Sequence, residues 1–329
     1  MSTRMNRALS SSLFISSIAT SLLVGCADDP KTGPYELVST VDMTSESISP
    51  RQIDDIVAPL RDFSMNPATT LVALAEAARD PAITMLRSEV AGTLLARLPG
   101  WINEEVQKVT LGGKSLPAFA DQLAMLARTS LTRFAIHSEL TLDGDAPAHR
   151  IVGLDMSPAG LDAKITFDAV DGESLDQAPV TTVGADGSLM LGDQRFTLAY
   201  GKRAWEGIDA AATQLVGDAV RPALGGAVNC PAVAKEIATR CLLDVCVNHE
   251  ALIRDLCESS LDRLVASVRD RLSEVKLDTL HFSQGTARVV DTDGDGAGDE
   301  IADGVWTAEI DVGFGLGVHA APAKFSGAR

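Results

Sequence analysis

Four carboxylates crowd into nine residues at Asp291-Thr292-Asp293-Gly294-Asp295-Gly296-Ala297-Gly298-Asp299. Held this close, they repel one another unless a cation sits among them. Ca2+ is the hard cation that suits the pattern. It takes roughly six to eight oxygens, and a tight loop delivers them from alternate residues. In that reading Asp291, Asp293 and Asp295 aim carboxylates at one centre and Gly296 permits the sharp turn. The carbonyl of Ala297 and the carboxylate of Asp299 complete the ring. The alternative is an Asp/Gly hairpin turn without metal. Strand-like segments flank the loop, at 287–290 and 305–310, so the expected role of an ion is structural: it pins a hairpin.

The loop resembles the DxDxDGxxD calcium loops of integrin α-chain propellers and related extracellular repeats. It departs from the EF-hand, whose twelfth position is Glu, because here that position is Ala302. A propeller repeats its loop in every blade, and this loop occurs once. The resemblance therefore implies a calcium ligand set and nothing about the rest of the fold. Extracellular modules bind calcium at about 10⁻⁴–10⁻³ M.

A second chemical position lies at the start of the chain. Arg4 and Arg7 precede a broken apolar run from Leu13 to Val24, which ends at Leu23-Val24-Gly25-Cys26. A positive head, a short apolar stretch and small residues at a cut form the secretory pattern. The run falls short of the roughly 20 residues that a membrane span needs. The ending resembles the lipobox of bacterial lipoproteins. That resemblance implies cleavage after Gly25, a diacylglycerol thioether on Cys26 and an acylated amino group. Two or more acyl chains hold a protein stably on a membrane. In the enteric members of that class, Asp directly after the lipidated Cys retains the protein at the inner membrane. Here the position is Ala27, which resembles the class sorted to the outer membrane.

The expected organisation is a cleaved signal over 1–25, a lipidated polar tether over 26–34 and an extracytoplasmic domain over 35–329. In an exported chain the four remaining cysteines are disulfides by default. Cys230, Cys241, Cys246 and Cys257 are spaced symmetrically. Eleven helical positions make about three turns, so Cys230 and Cys241 share a face if helix runs through both, as do Cys246 and Cys257. Pro231 suits a first helical position, and Asn248 suits the cap of the next helix. The simplest geometry is an antiparallel helical hairpin with nested bridges, Cys241–Cys246 at the tip and Cys230–Cys257 at the base. It resembles twin-cysteine helical hairpins, whose spacing differs by one. Three pairings are open to four cysteines. A zinc site is disfavoured because close CxxC pairs are missing.

Other chemistry is thin. His249-Glu250 begins like a zincin HExxH, but the second His position is Ile253. It reads better as the first turn of a helix, where Glu250 favours the dipole. Gly313-Phe314-Gly315-Leu316-Gly317 has no helix after it and is not a dinucleotide loop. There is no GxSxG elbow and no Walker loop. The five His are scattered and read as surface or edge-strand residues. Ser, His and Asp could still meet in space, which leaves a hydrolase as a distant reading.

The elements that position these residues form an α+β pattern. Residues 35–43 alternate as a strand. Helical blocks follow, started by Ser49-Pro50, Asn66-Pro67 and Asp80-Pro81, with apolar residues at helical spacing through Phe134. Strands are expected at 135–143, 148–156, 160–168, 187–191 and 194–199, with Asp143-Gly144-Asp145 as a turn. Helices return at 202–222, in the cysteine hairpin and along 249–276. Strands close the chain at 278–290, 304–312 and 318–326. A helix, a strand with a His near its start (His137, then His281) and an Asp/Gly turn occur in order in each half. This predicts two helix-plus-hairpin halves, 35–200 and 201–329, in one helix-rich body with antiparallel strands and a stapled helical hairpin.

The formal charge of −17 repels phosphate backbones, so nucleic acid is not an expected partner. Aromatics make up 4% of the chain, which leaves few stacking platforms for carbohydrate. The expected function is a membrane-anchored envelope lipoprotein with a non-enzymatic structural or partner-binding role. The alternative is a carrier of lipid or another apolar ligand in an internal cavity, by analogy with the tubular lipid-binding proteins.

Overall fold

Alternation builds the first long strand. Tyr35, Leu37, Ser39 and Val41 turn to the core, while Glu36, Val38 and Thr40 face outward. The computed structural model describes residues 29–44, 50–142, 147–156, 164–167, 175–242, 244–275, 277–311 and 318–329. The leader with Cys26, the cap expected at Ser49, the turn at Asp143-Gly144-Asp145, most of the strand expected over 160–168, and Gly313 to Gly317 lie outside these residues.

The chain opens with β1 (Asp29–Pro30) and β2 (Pro34–Asp42). Helices α1 (Pro50–Met65), α2 (Pro67–Ala77), α3 (Pro81–Glu89), α4 (Gly92–Leu95) and α5 (Leu98–Lys108) follow. A small hairpin, β3 (Thr110–Leu111) and β4 (Lys114–Ser115), leads into α6 (Leu116–Thr132). Strands β5 (Arg133–Thr141), β6 (Ala148–Asp155), β7 (Lys164–Thr166), β8 (Asp176–Gln177), β9 (Thr181–Val183), β10 (Ser188–Leu191) and β11 (Gln194–Leu198) come next. Then come α7 (Tyr200–Val216), α8 (Val220–Ala227), α9 (Cys230–Ala238), the pair β12 (Cys241–Leu242) and β13 (Val245–Cys246), and α10 (Glu250–Ser273). The chain closes with β14 (Leu277–Val290), β15 (Ala297–Gly298), β16 (Glu300–Asp311) and β17 (Val318–Ala328). The fold is α+β, as the sequence pattern predicts.

Capping fixes several helix starts. Asp80 accepts from the Ala82 amide at 2.8 Å at the head of α3, and Asn229 accepts from the Ala232 amide at 3.0 Å at the head of α9. Asn66 makes no side-chain cap bond; Asn103 of α5 reaches across and accepts from the Ala68 amide at 2.8 Å instead. The longest helix, α10, packs against α1, α2, α3, α7, α8 and α9. It buries Ile253, Leu256, Leu261, Leu264, Val268 and Leu272 and exposes Arg254, Asp255, Arg269 and Asp270. Each fully enclosed Leu contributes about 2 kcal/mol of burial. Asp80 also accepts from Ser259 Oγ at 2.7 Å and pairs with Arg263, tying α3 to α10. Burial works against the Asp80 carboxylate, but Ser259, Arg263 and the Ala82 amide outweigh it and hold its pKa below the usual range.

One large sheet runs in the order β7-β6-β5-β2-β17-β16-β14-β10-β9, with β11 also paired to β14 and β8 to β6. All of its pairings are antiparallel. A repeated plan underlies this order. A strand (β2, then β11) runs into a block of helices, and the chain returns as a strand paired to it (β5, then β14). Each half ends with two further antiparallel strands (β6 and β7, then β16 and β17). The second of these runs opens with β11 at Gln194. The two runs join where β2 pairs with β17. The sheet curls until its flanks meet: β8 lies against β11, and His149 of β6 bonds Gln194 of β11. His149, Phe196, Phe282, Trp306 and Phe325 fill the curl. Helices α1, α6, α7 and α10 all connect to strands at one end of the sheet, marked by Asp42, Arg133, Leu198 and Leu277.

The disulfides are nested, Cys230–Cys257 and Cys241–Cys246. The hairpin that they staple differs from a pair of continuous helices. Helix α9 stops at Ala238, and the tip is the two-stranded β12–β13 turn. Asp244 and Asn248 there take left-handed backbone, at φ 65° and 55°, which Asp and Asn tolerate better than other residues with a Cβ. Asn248 thus turns the chain, while His249 holds the cap position of α10.

Candidate functional site

The 291–299 loop joins β14 to β16, and its own amides shape it. Asp291 accepts from the Gly294 and Gly296 amides at 2.6 and 2.9 Å. Asp293 accepts from the Asp295 amide at 3.2 Å, and Asp295 from the Ala297 amide at 2.9 Å. Gly294 and Gly296 have φ of 79° and 87°, where a Cβ would be strained. The turn leaves one oxygen each of Asp291, Asp293 and Asp295 within 4.8 Å of the others, close enough to hold a metal ion. The donors are all hard oxygens, and Asp293 and Asp295 are about half exposed, with side-chain exposures of 52% and 53%, so solvent can reach remaining coordination positions.

Asp299 and Ala297, the other expected ligands, have different surroundings. Asp299 takes the Thr292 amide and hydroxyl, each at 2.8 Å, and these hold its pKa below the usual range. Ala297 lies in β15, paired in parallel with Asp29 of β1. The three-carboxylate group is therefore what the fold assembles, with Asp299 alongside it.

A cation of the chain's own already sits there. Lys31 Nζ lies 2.8 Å from Asp293 Oδ2, 3.1 Å from Asp295 Oδ2 and 4.0 Å from Asp299 Oδ2. Its hydrogen bonds to Asp293 and Asp295 raise the Lys31 pKa, and Lys31 in turn lowers that of Asp293. Backbone bonds seat the lysine. The Lys31 amide donates to the Gly298 carbonyl at 3.0 Å, and the Tyr35 hydroxyl donates to the same carbonyl at 2.5 Å. Residues 29–31, part of the segment expected to be a polar tether, are thus docked on the body. Sequence spacing carries no signal for Lys31, because the partners are 262 residues apart.

The fold assembles a second group that the sequence did not announce. His149 Nε2 lies 2.8 Å from Ser138 Oγ, and its Nδ1 meets the side-chain oxygen of Gln194. With Nδ1–H donating to Gln194, Nε2 is left to accept from the Ser138 hydroxyl. A Ser–His hydrogen bond of this kind is the first requirement for nucleophilic catalysis. Ser138, His149 and Gln194 are only 2%, 1% and 1% exposed, however, and an amide stands where a carboxylate would support an imidazolium. Burial lowers the His149 pKa to about 4, so the ring is neutral at pH 7. The group works as a satisfied polar clasp across the curled sheet.

The histidines also correct the expectation that all of them are surface or edge residues. His149 is enclosed, and His281 is buried with its Nδ1 2.8 Å from Glu309. The polar partners reside on strands distant in sequence, so the isolated His gave no sign. His249 lies 3.3 Å from Glu89 and Ile253 is buried in the core, so the zincin-like start builds no metal site.

The apolar space between α1, α2, α5, α9 and α10 amounts to about 20 Å³, lined by Phe63, Leu71, Ile253, Leu256 and Leu261 among others. Ligand pockets run to about 300–1,000 Å³. This space is far too small for an acyl chain. Among the described residues no helix is long and apolar enough to cross a membrane.

No family, no curated protein and no solved structure matches the chain. The functional reading rests on the chain's own residues.

Proposed function

We propose that the protein is a lipid-anchored envelope protein with a non-enzymatic structural or partner-binding role, held on the membrane through Cys26. The observation that carries this reading is the Leu23-Val24-Gly25-Cys26 ending, followed within a few residues by a strand docked on the folded body. Two disulfides support an oxidising compartment. Ala27 favours the outer membrane over the inner. The small size of the apolar space among the helices, about 20 Å³, favours a structural or binding role over carriage of an apolar ligand there.

Ca2+ is the proposed structural ion, held by Asp291, Asp293 and Asp295 with Asp299 as a flanking carboxylate. Lys31 is the stand-in that supports this: a cation already occupies the group. The ion would add cross-links between the two ends of the β14–β16 connection.

Metabolic labelling with a radioactive or clickable fatty acid tests the anchor. The wild type is expected to take up label and to sediment with membranes. Cys26→Ser should lose both. Label retained by Cys26→Ser would refute the reading.

A further inference from the structure

We infer that the end of the sheet carrying β1, the 291–299 loop and Arg329 faces the polar headgroups of the membrane, and that the docked segment 29–31, held in the calcium-free protein by Lys31, fixes the body in this orientation. The inference rests on the lipid anchor proposed above and goes beyond it. A flexible nine-residue tether would leave the body free to tumble. The structure shortens the tether. Three residue steps separate Cys26 from Asp29, where the chain is already paired to β15. Three steps span at most ~10 Å. With residues 29–33 undocked, the eight steps from Cys26 to Pro34 would span ~28 Å.

Several independent contacts seat the segment. Asp29 and Pro30 pair with Ala297 and Gly298, the Lys31 amide bonds Gly298, and Lys31 Nζ bridges Asp293 and Asp295. The C-terminal strand closes beside it, where the Arg329 amide donates to the Asp299 carbonyl at 3.1 Å. This end is polar. The large exposed apolar side chains among the described residues, such as Met65, Met85, Met125 and Val245, lie elsewhere. Its carboxylates suit water and not the hydrocarbon, and they repel anionic headgroups, so the acyl chains and the short tether alone hold this end at the surface. The body is therefore drawn to the surface by its acyl chains and does not insert.

The opposite end follows from the strands. β2 runs nine residues from Pro34 beside the anchor to Asp42, about 30 Å at strand rise. The helical connections all leave from the Asp42 end. The curled sheet is a pedestal, and the stapled helices form the outward layer.

The test uses the full lipidated chain in phosphatidylethanolamine/phosphatidylglycerol vesicles doped with a headgroup nitroxide lipid. A fluorophore is placed at Ala328→Cys, beside the anchor, or at Arg254→Cys on α10; both positions are exposed, and the native thiols are occupied. Ala328→Cys is expected to be quenched several-fold more strongly than Arg254→Cys. Adding Lys31→Glu should release the segment and reduce that difference. Equal quenching at the two sites, in protein whose mass shows the acyl groups, would overturn the orientation and leave the anchor standing. An asymmetry unchanged by Lys31→Glu would overturn the role of Lys31. A mass without acyl groups would overturn the anchor and this inference with it.

Discussion

A metal entering the 291–299 loop meets an ammonium already in place. Lys31 and a divalent cation cannot both sit between Asp293 and Asp295, so binding is an exchange. Removing the lysine should therefore strengthen calcium binding even though it deletes a favourable ion pair. Titration calorimetry is expected to show Lys31→Met binding Ca2+ several-fold more tightly than the wild type, while Asp295→Ala binds least. In melts, millimolar calcium should raise the midpoint of the wild type and leave Asp295→Ala unchanged. Equal affinity in wild type and Lys31→Met would refute the exchange. The grouping of Asp291, Asp293 and Asp295 was legible because it is local in sequence. Lys31 was not, since it reaches them only through the parallel pairing of β1 with β15.

His149 makes a pH prediction at the same scale. Its ordinary pKa is 6.5, and in the fold burial lowers it to about 4. As pH falls below 6.5 the unfolded chain takes up the proton first, so stability is full above 6.5 and declines as pH approaches 4. One pKa unit corresponds to 1.36 kcal/mol, which puts the loss at about 3 kcal/mol. Urea midpoints measured across this window should fall more steeply for the wild type than for His149→Phe. Parallel profiles would show that the imidazole is not the sensor. Alternation in β6 does place residue 149 on the inner face. It does not reveal that Ser138 and Gln194, from β5 and β11, wait there to satisfy it.

Helices were the most legible elements, because proline and a capping residue mark their starts and apolar spacing marks their buried face. The starts at Pro67, Pro81 and Cys230-Pro231 show the pattern. Legibility failed where a cap came from elsewhere, as with Asn103 at α2, and where a helix stopped early, as at Ala238. The disulfide pairing followed from the antiparallel arrangement and did not need helix to run through all four cysteines. The two bridges differ in what they close. Cys230–Cys257 closes a separation of 27 residues and Cys241–Cys246 one of 5. In the chain-entropy account these correspond to about 3.5 and about 2 kcal/mol. Replacing Cys230 and Cys257 by Ala should lower stability by more than the same change at Cys241 and Cys246, read as a difference in urea midpoints. The base pair also sits among Val233, Ile237 and Leu261, so its loss disturbs the core, whereas the tip lies at the surface.

At the scale of the molecule, the α+β class was readable because helix and strand signals are local. The β2–β17 pairing was not, since it matches strands from opposite ends of the chain, Val41 with Ala323 and Glu36 with Ala328. Nor could alternation show that the sheet curls until β8 meets β11. The acidic surface predicted from composition is consistent with the carboxylate-rich end at the 291–299 loop, where Lys31 offsets part of the charge.

The seam between the halves has a consequence for biogenesis. β2 emerges during synthesis long before its neighbour β17. Until that strand arrives, β2 and β16 each keep an unpaired edge, and the sheet cannot close. Such distant pairing is intrinsically slow. A body whose middle seam joins strands this far apart in sequence reaches its finished shape only after the helices and strands between them are in place.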